Sequence, residues 1–146
     1  MPTEVQILSP ASLKMTIKDL KLLLKKMNPH IYETEYVFCS LSGKQKDMLK
    51  LNPLLTFNEE EGLTVILKKN EADRAKIPYR GVWKMITLKV NSDLLAIGFL
   101  AQITRKLADA SISVNIVSAC HHDHLFVPAD KSYEALDILQ KLSKSF

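Results

Sequence analysis

Residues 83–119 read WKMITLKVNSDLLAIGFLAQITRKLADASISVNIVSA, and the hydrophobic period of this stretch changes twice. Residues 83–90 alternate between apolar and polar types, which predicts a half-buried strand. Apolar residues then recur at helical spacing and predict a helix over about 95–109. Alternation returns at 112–119 and predicts a second strand. The order strand, helix, strand indicates a sheet with a helix lying on one face.

The rest of the second half extends this pattern. Residues 124–128 predict another strand, and Asp130 is of the type that caps a following helix. The half therefore has the order β-α-β-β-α, which lacks one strand of the ferredoxin-like arrangement. The chain shows no further strand pattern before Phe146.

The first half is harder to interpret from pattern alone. The predicted elements are a strand at 4–8, a helix at 15–27, a strand at 35–41, a short helical turn at 57–61, a strand at 63–68 and a helix, capped by Asn70, at 71–76. This half is also one strand short. We therefore predict an α+β fold of two ferredoxin-like halves, residues 1–80 and 81–146, with antiparallel sheets covered by helices and strands shared or exchanged between the halves.

Composition excludes several classes of function. The formal charge of +4 is carried by scattered lysines, whereas nucleic-acid binding favours one basic face with interleaved aromatic residues. No apolar run approaches the ~20 residues of a membrane span, and no secretory signal is visible. Cys39 and Cys120 lie in apolar alternating runs, which predicts buried free thiols and a reducing, cytoplasmic location. We predict neither nucleic-acid nor membrane binding.

Several motifs in both halves resemble those of a known family. The runs VNSD at 90–93, IGFLA at 97–101 and LADASISVNI at 107–116 resemble the signature of ACT domains. The run HDHLFVP at 122–128 resembles small bacterial tandem-ACT proteins of unassigned function. In the first half, EYVFC at 35–39 and EEEGLT at 59–64 are similar to the same proteins. One departure is Ile97, which stands where many ACT loops have proline before the glycine.

The resemblance implies a regulatory module that catalyses nothing and binds a small molecule, by expectation an amino acid, where two ACT units meet. A helix N-terminus favours a ligand carboxylate, and Gly98 lets the ligand approach the backbone closely. Asp93, Asp123 or a glutamate across the interface would face the ammonium. The predicted ligand-binding residues are Asn91, Ser92, Asp93, Ile97, Gly98, Phe99, Asn115, His122, Asp123 and His124, facing Glu60, Glu61, Gly62 and Thr64.

Each of these residues also has an ordinary structural interpretation. Ser92 and Asp93 are preferred helix caps, and Gly98 is typical of close helix packing. Asn115 is of the type that satisfies backbone groups of a strand or turn.

The cluster His121–His124 suggests a second class of function. His122 and His124 would share one face of a strand and, with a third ligand, hold zinc. Asp123 would point to the other face, and His30 is distant in sequence, so no metal site or cofactor is predicted. A hairpin turn with half-exposed histidines, or histidines that contact a ligand, are the alternatives. The sequence shows no phosphate loop, nucleophile elbow or Cys-x-x-Cys motif.

A third hypothesis is a ligand-free interaction module that pairs through a sheet edge, for example as a homodimer. Three functions are thus open from the sequence: a ligand-binding regulatory module, a metal or enzymatic site at His121–His124, and a protein–protein interaction module.

Overall fold

The computed structural model describes residues 16–42 and 50–146. Within them, an antiparallel sheet of six strands in the order β2-β3-β1-β4-β6-β5 is covered by helices. The elements are α1 Leu20–Lys25, β1 Pro29–Leu41, β2 Leu55–Glu59, β3 Gly62–Lys68, α2 Lys69–Arg74, β4 Trp83–Leu88, α3 Phe99–Asp109, β5 Asn115–Ser118, β6 Asp123–Pro128 and α4 Ser132–Lys144. The predicted strand at 4–8 lies outside the described residues. No described helix is long and apolar enough to cross a membrane.

The first half differs from the prediction in three elements, of which one is β1, which begins at Pro29 rather than at residue 35. The helical turn predicted at 57–61 is wrong, because Leu55–Glu59 forms strand β2 and pairs with β3 from Leu55 opposite Ile66 to Glu59 opposite Gly62. The local acidic composition favoured a helix, but pairing along the whole of β3 outweighs that weak preference. Helix α1 is also shorter than the predicted 15–27, since it begins at Leu20, with Asp19 Oδ1 accepting from Leu22 N at 2.8 Å.

The segment before α1 is extended rather than helical. Ile17 N donates to Asn91 O at 2.9 Å, and Asp93 N donates to Ile17 O at 3.0 Å. These two bonds form a parallel bridge between Ile17 and Ser92. A segment of the first half is therefore attached to the loop that joins β4 to α3.

Two predicted helix caps are also wrong. Asn70 lies inside α2, which begins at Lys69, and Asp130 lies in a 3₁₀ turn, Ala129–Lys131, before α4. Neither helix has a side chain that caps its N-terminus. The cap-forming residues Asn70 and Asp130 are therefore not used as caps.

Strand β1 belongs to both halves of the sheet. Its C-terminal part pairs with β3, from Tyr36 opposite Lys68 to Leu41 opposite Leu63. Its N-terminal part pairs with β4, with Pro29 opposite Leu88, and an irregularity between Ile31 and Glu35 shifts the register. β1 thus occupies the position of the strand that the second half lacks, which confirms the predicted sharing of strands.

The helices pack on one face of this sheet around two apolar clusters. The larger cluster lies under α3 and α4. It includes Leu23 and Leu24 from α1 and Met27 just after it, each at most 1% exposed. The smaller cluster lies under α2. Cys39 is buried in it, as predicted, and burial raises the pKa of its thiol. Cys120 is exposed, contrary to prediction, because it falls in the turn between β5 and β6.

Candidate functional site

The loop between β4 and α3 encloses a cavity of about 150 Å³. Polar side chains and the first turn of α3 both contribute to it, as do the adjacent ends of β5 and β6. The residues that line it are Ser92, Asp93, Leu94, Ala96, Gly98, Phe99, Leu100, Ala101, Ser118 and Asp123. We call it the loop cavity.

Asp123 is the most deeply buried charged group of the loop cavity. Its side chain is 6% exposed, and its Oδ2 accepts a hydrogen bond of 2.8 Å from Ser92 Oγ, in a residue 7% exposed. A buried carboxylate is costly unless it is hydrogen-bonded or paired with a cation. The Ser92 hydroxyl supplies one neutral partner, and a ligand ammonium would supply a charged one.

Gly98 forms the junction between the loop and α3. Its φ of 89° lies in the left-handed region, which favours glycine, and it occupies the N-cap position without a side-chain cap. A Cβ at Gly98 would meet Leu20 Cδ2 at 3.5 Å, an ordinary contact. The backbone turn, rather than close helix packing, is therefore the structural need for glycine here. The first N–H groups of the 11-residue helix α3 remain available to an anion in the cavity.

Asp93 is held by structural contacts. Its Oδ2 accepts from Thr16 Oγ1 at 2.6 Å, and its Oδ1 accepts from Leu95 N at 2.8 Å. These hydrogen bonds, with a smaller contribution from Lys18 Nζ at 4.0 Å, lower the pKa of Asp93 below its usual value. Asp93 thus joins the first-half segment to the loop, and both of its oxygens are already in use.

The remaining residues predicted near this loop are distributed differently. Asn91 accepts from Ile17 through its carbonyl, and Phe99 is 3% exposed within the large apolar cluster. Ile97 is 87% exposed at the surface of the loop. Asn115 lies at the opposite end of β5 from Ser118, roughly 10 Å away along the strand. Of these four residues, Phe99 lines the loop cavity together with Asp123, and the other three do not.

The structure does not bring the predicted glutamate segment to this loop. Glu60, Glu61, Gly62 and Thr64 belong to the β2–β3 hairpin, where Gly62 lies beside Leu41 at the C-terminal end of β1. Asp123 pairs with Leu88, which pairs with Pro29 at the other end of β1. Because β1 has 13 residues, the two groups are roughly 40 Å apart along the strand. The expectation that the two groups face each other is therefore not met within one chain.

The histidine cluster divides between the two faces of the sheet. His124 Nδ1 is 2.8 Å from Thr87 Oγ1, and the rings of His122 and His124 are 6.4 Å apart on the face away from the helices. Asp123 points to the helical face, as the alternation of β6 requires. No group of three His, Cys, Asp or Glu side chains suited to a metal occurs among residues 16–42 and 50–146.

His124 leads to a pH-dependent prediction. Partial burial lowers its pKa below the usual 6.5, and the neighbouring His122 and Lys89 lower it further, against a smaller opposing effect of Asp123. As the pH falls below about 6.5, the unfolded chain therefore takes up a proton at this position before the folded chain does. We expect the free energy of unfolding to fall through this window until the folded pKa is passed.

The measurement is denaturant unfolding at a series of pH values from 7.5 to 5. The variant His124→Gln is expected to lose less stability over this range than the wild type. Replacing exposed His121 by glutamine is the control and leaves the slope unchanged. Equal slopes for the wild type and His124→Gln contradict the prediction.

Sequence reasoning missed several residues of the loop cavity. Ser118 was predicted only as a strand residue, and Thr16, whose hydroxyl donates to Asp93 beside the cavity, fell within the helix predicted at 15–27. No local signal identifies Ser118, because it reaches the cavity through its pairing with Asp123 across β5 and β6. Thr16 is 77 residues away from its partner Asp93 in the sequence.

Comparisons with known proteins identify the family of the chain. Two family models, each described as an ACT domain, match residues 15–84 and 82–141. A protein of unknown function from Vibrio cholerae, described as a possible transport protein, is 39% identical over 85% of this chain and 95% of its own, with a TM-score of 0.78. The chain belongs to the ACT-domain family. It is a tandem of two ACT-type units, and a comparison with curated protein sequences found no match.

More distant ACT-like structures share the fold alone. An Agrobacterium tumefaciens protein is 15% identical over 79% of this chain and 87% of its own, with a TM-score of 0.63. The ligand-free regulatory subunit of aspartate kinase from Thermus thermophilus is 10% identical over 81% and 98%, with a TM-score of 0.62.

Proposed function

We propose that the chain is a non-catalytic regulatory ACT module that binds a small amino acid in the loop cavity. The observation that carries this proposal is the buried Asp123 carboxylate beside an uncapped helix N-terminus. The two features have opposite polarity and lie in the same cavity. A zwitterion that carries a carboxylate and an ammonium on the same carbon atom matches that arrangement.

The ligand is oriented by these two groups. Its carboxylate accepts from the first N–H groups of α3, where the helix dipole favours negative charge. Its ammonium donates to Asp123 and to the hydroxyl of Ser92 or Ser118. The cavity of about 150 Å³ is smaller than the ~300–1,000 Å³ of pockets for larger ligands, so we infer a short side chain.

Exposed apolar residues of the β4–α3 loop, which we call the rim of the loop cavity, suggest how ligand binding would be transmitted to another protein. Leu94, Leu95 and Ile97 are 66%, 75% and 87% exposed, and they follow one another along the loop. Clustered exposed apolar residues are typical of protein contact surfaces. We propose that a second copy or a regulated protein covers this rim. The free thiols of Cys39 and Cys120 are consistent with action in the reducing cytoplasm.

The test is a thermal-shift screen of the full chain against the twenty amino acids, followed by calorimetric titration of any that stabilise it. A ligand at 100 times its dissociation constant is expected to add about 2.7 kcal/mol to the free energy of unfolding. If no amino acid shifts the melting temperature, the proposal fails. Stabilisation by zinc alone would instead favour a metal site.

A matched pair of variants locates the site. Asp123→Asn retains the shape of the side chain but removes the charge that faces the ligand ammonium. A charged hydrogen bond contributes about 1.5–3 kcal/mol, so we expect the dissociation constant to rise roughly 10–150-fold. Asp130→Asn makes the same change at an exposed carboxylate and leaves affinity unchanged. Equal affinities for the two variants contradict binding in the loop cavity.

A further inference from the structure

The face of the sheet opposite the described helices is apolar and curved. Its buried centre consists of Tyr36, Ile66, Met85 and Phe126, and Phe38 packs edge to face against Phe126 at 5.5 Å. Strands β2 and β5 form the two edges of the sheet and would be about 24 Å apart in a flat sheet, at ~4.8 Å per strand. Residues of both edges nevertheless line one cavity, so the sheet curls around this face.

That cavity has a volume of about 400 Å³, within the ~300–1,000 Å³ of small-molecule pockets. We call it the concave cleft. Its lining is almost entirely apolar, and the polar exceptions are Thr56 and His124. The residues that line it are Leu54, Leu55, Thr56, Ile66, Met85, Val117, Ala119, His124 and Phe126. The loop cavity shares none of them.

One end of the cleft carries basic and polar groups. His124 is held through Nδ1 by Thr87 Oγ1, which leaves the other ring nitrogen to face a ligand. His122 lies beside it on the same face, with ring centroids 6.4 Å apart. Two residues beyond Thr87, Lys89 Nζ donates to Tyr32 Oη at 2.9 Å and lies over the Tyr32 ring.

No carboxylate of β6 faces the basic groups at this end of the cleft. Asp123 is the acidic neighbour on β6, and it points through the sheet to Ser92 on the helical face. The ammonium of Lys89 has a neutral phenol as its recorded hydrogen-bond partner. An apolar cleft that ends in an ammonium and imidazoles is complementary to an apolar anion.

We propose that the concave cleft binds a small monocarboxylate with an apolar tail. The tail packs against Ile66, Met85 and Phe126, and the carboxylate lies toward Lys89 and His124. This site is independent of the amino-acid site, because it lies on the other face of the sheet and uses other residues.

The experiment titrates the full chain with octanoate and, separately, with octan-1-ol, which has the same tail but no charge. Binding is measured by calorimetry and by the NMR shifts of the His124 ring. We expect octanoate to bind at least 10-fold more tightly than the alcohol and to shift the His124 signals. Equal affinity for the two probes, or no binding of octanoate, overturns the proposal.

Two matched pairs of variants test the location. Ala119→Trp places a large ring in the cleft and is expected to abolish octanoate binding, whereas Ala108→Trp on the exposed face of α3 leaves it unchanged. Lys89→Gln is expected to weaken octanoate binding at least 5-fold without changing octanol binding, whereas exposed Lys106→Gln changes neither. Circular dichroism confirms that each variant is folded.

The outcomes distinguish this proposal from the amino-acid site. If Ala119→Trp binds octanoate like the wild type, the concave cleft is not the site and the proposal fails. We expect Asp123→Asn to retain octanoate binding, because Asp123 does not line the concave cleft. This expectation holds whether or not the amino-acid screen finds a ligand. Loss of octanoate binding in Asp123→Asn places the probe in the loop cavity and also overturns the proposal.

Discussion

A fragment of residues 81–146 is expected to remain unfolded in isolation. It lacks α1 and the residues just after it, where Leu23, Leu24 and Met27 are 0%, 1% and 0% exposed within the core of the second half. Each such side chain contributes about 1.5–3 kcal/mol by burial, so their loss removes roughly 5–9 kcal/mol. That is comparable to the whole stability of a small domain, ~5–15 kcal/mol. The fragment also loses β1, which leaves β4 as an unpaired edge.

The measurement is thermal and urea unfolding of the fragment, followed by far-UV circular dichroism. No cooperative transition is expected for residues 81–146. A longer fragment of residues 16–146 retains α1 and β1 and is expected to melt cooperatively. A cooperative, stable melt of residues 81–146 would show that the second half is an autonomous domain. The division into residues 1–80 and 81–146 is a prediction that this experiment decides.

The variant Gly62→Ala is expected to destabilise the chain by about 2–6 kcal/mol. Gly62 has a φ of 152°, which L residues rarely adopt, and this strain costs about 1–3 kcal/mol. A Cβ there would lie 2.7 Å from the carbonyl oxygen of Leu41, and relieving that overlap costs about 1–3 kcal/mol more. Because the overlapping atom is backbone, β1 and the hairpin must separate.

Gly81→Ala is the matched control. Gly81 also has a positive φ, of 70°, but its Cβ would be 3.5 Å from Trp83 Nε1, an ordinary contact. Its expected cost is therefore the backbone strain alone, about 1–2 kcal/mol. Chemical denaturation measures both variants. If both lose the same stability, the overlap at Leu41 has no effect and the prediction is wrong.

The second half could be predicted from its sequence because its signals are local. The alternation at Trp83–Leu88 and the apolar stripe of Phe99–Asp109 each identify an element without knowledge of the rest of the chain. The first half was predicted less well. Residues 57–61 include three consecutive glutamates, which do not favour a strand, yet Leu55–Glu59 becomes one through its pairing with β3.

The candidate site was predicted in part. The loop at Ser92–Gly98 and Asp123 follow from motif and helix chemistry, and the structure places Ser92 and Asp123 in hydrogen-bond contact. The expected contribution of Glu60 and Glu61 depended on which ends of the halves meet, and no periodic pattern contains that information. The curvature that forms the concave cleft is likewise absent from local sequence, since it brings Leu54 and Ala119 to one cavity from opposite sheet edges.

The sequence by itself determined the α+β elements of residues 83–144 and the polar loop before α3, because the hydrophobic period and the glycine act over a few positions. Tertiary structure alone decided which strand serves both halves, that α1 completes the second core, and that a separate cavity lies on each face of the sheet beside Asp123 and His124. These outcomes depend on pairings across long stretches of chain. Their physical cause is the burial of apolar surface that neither half can cover with its own residues.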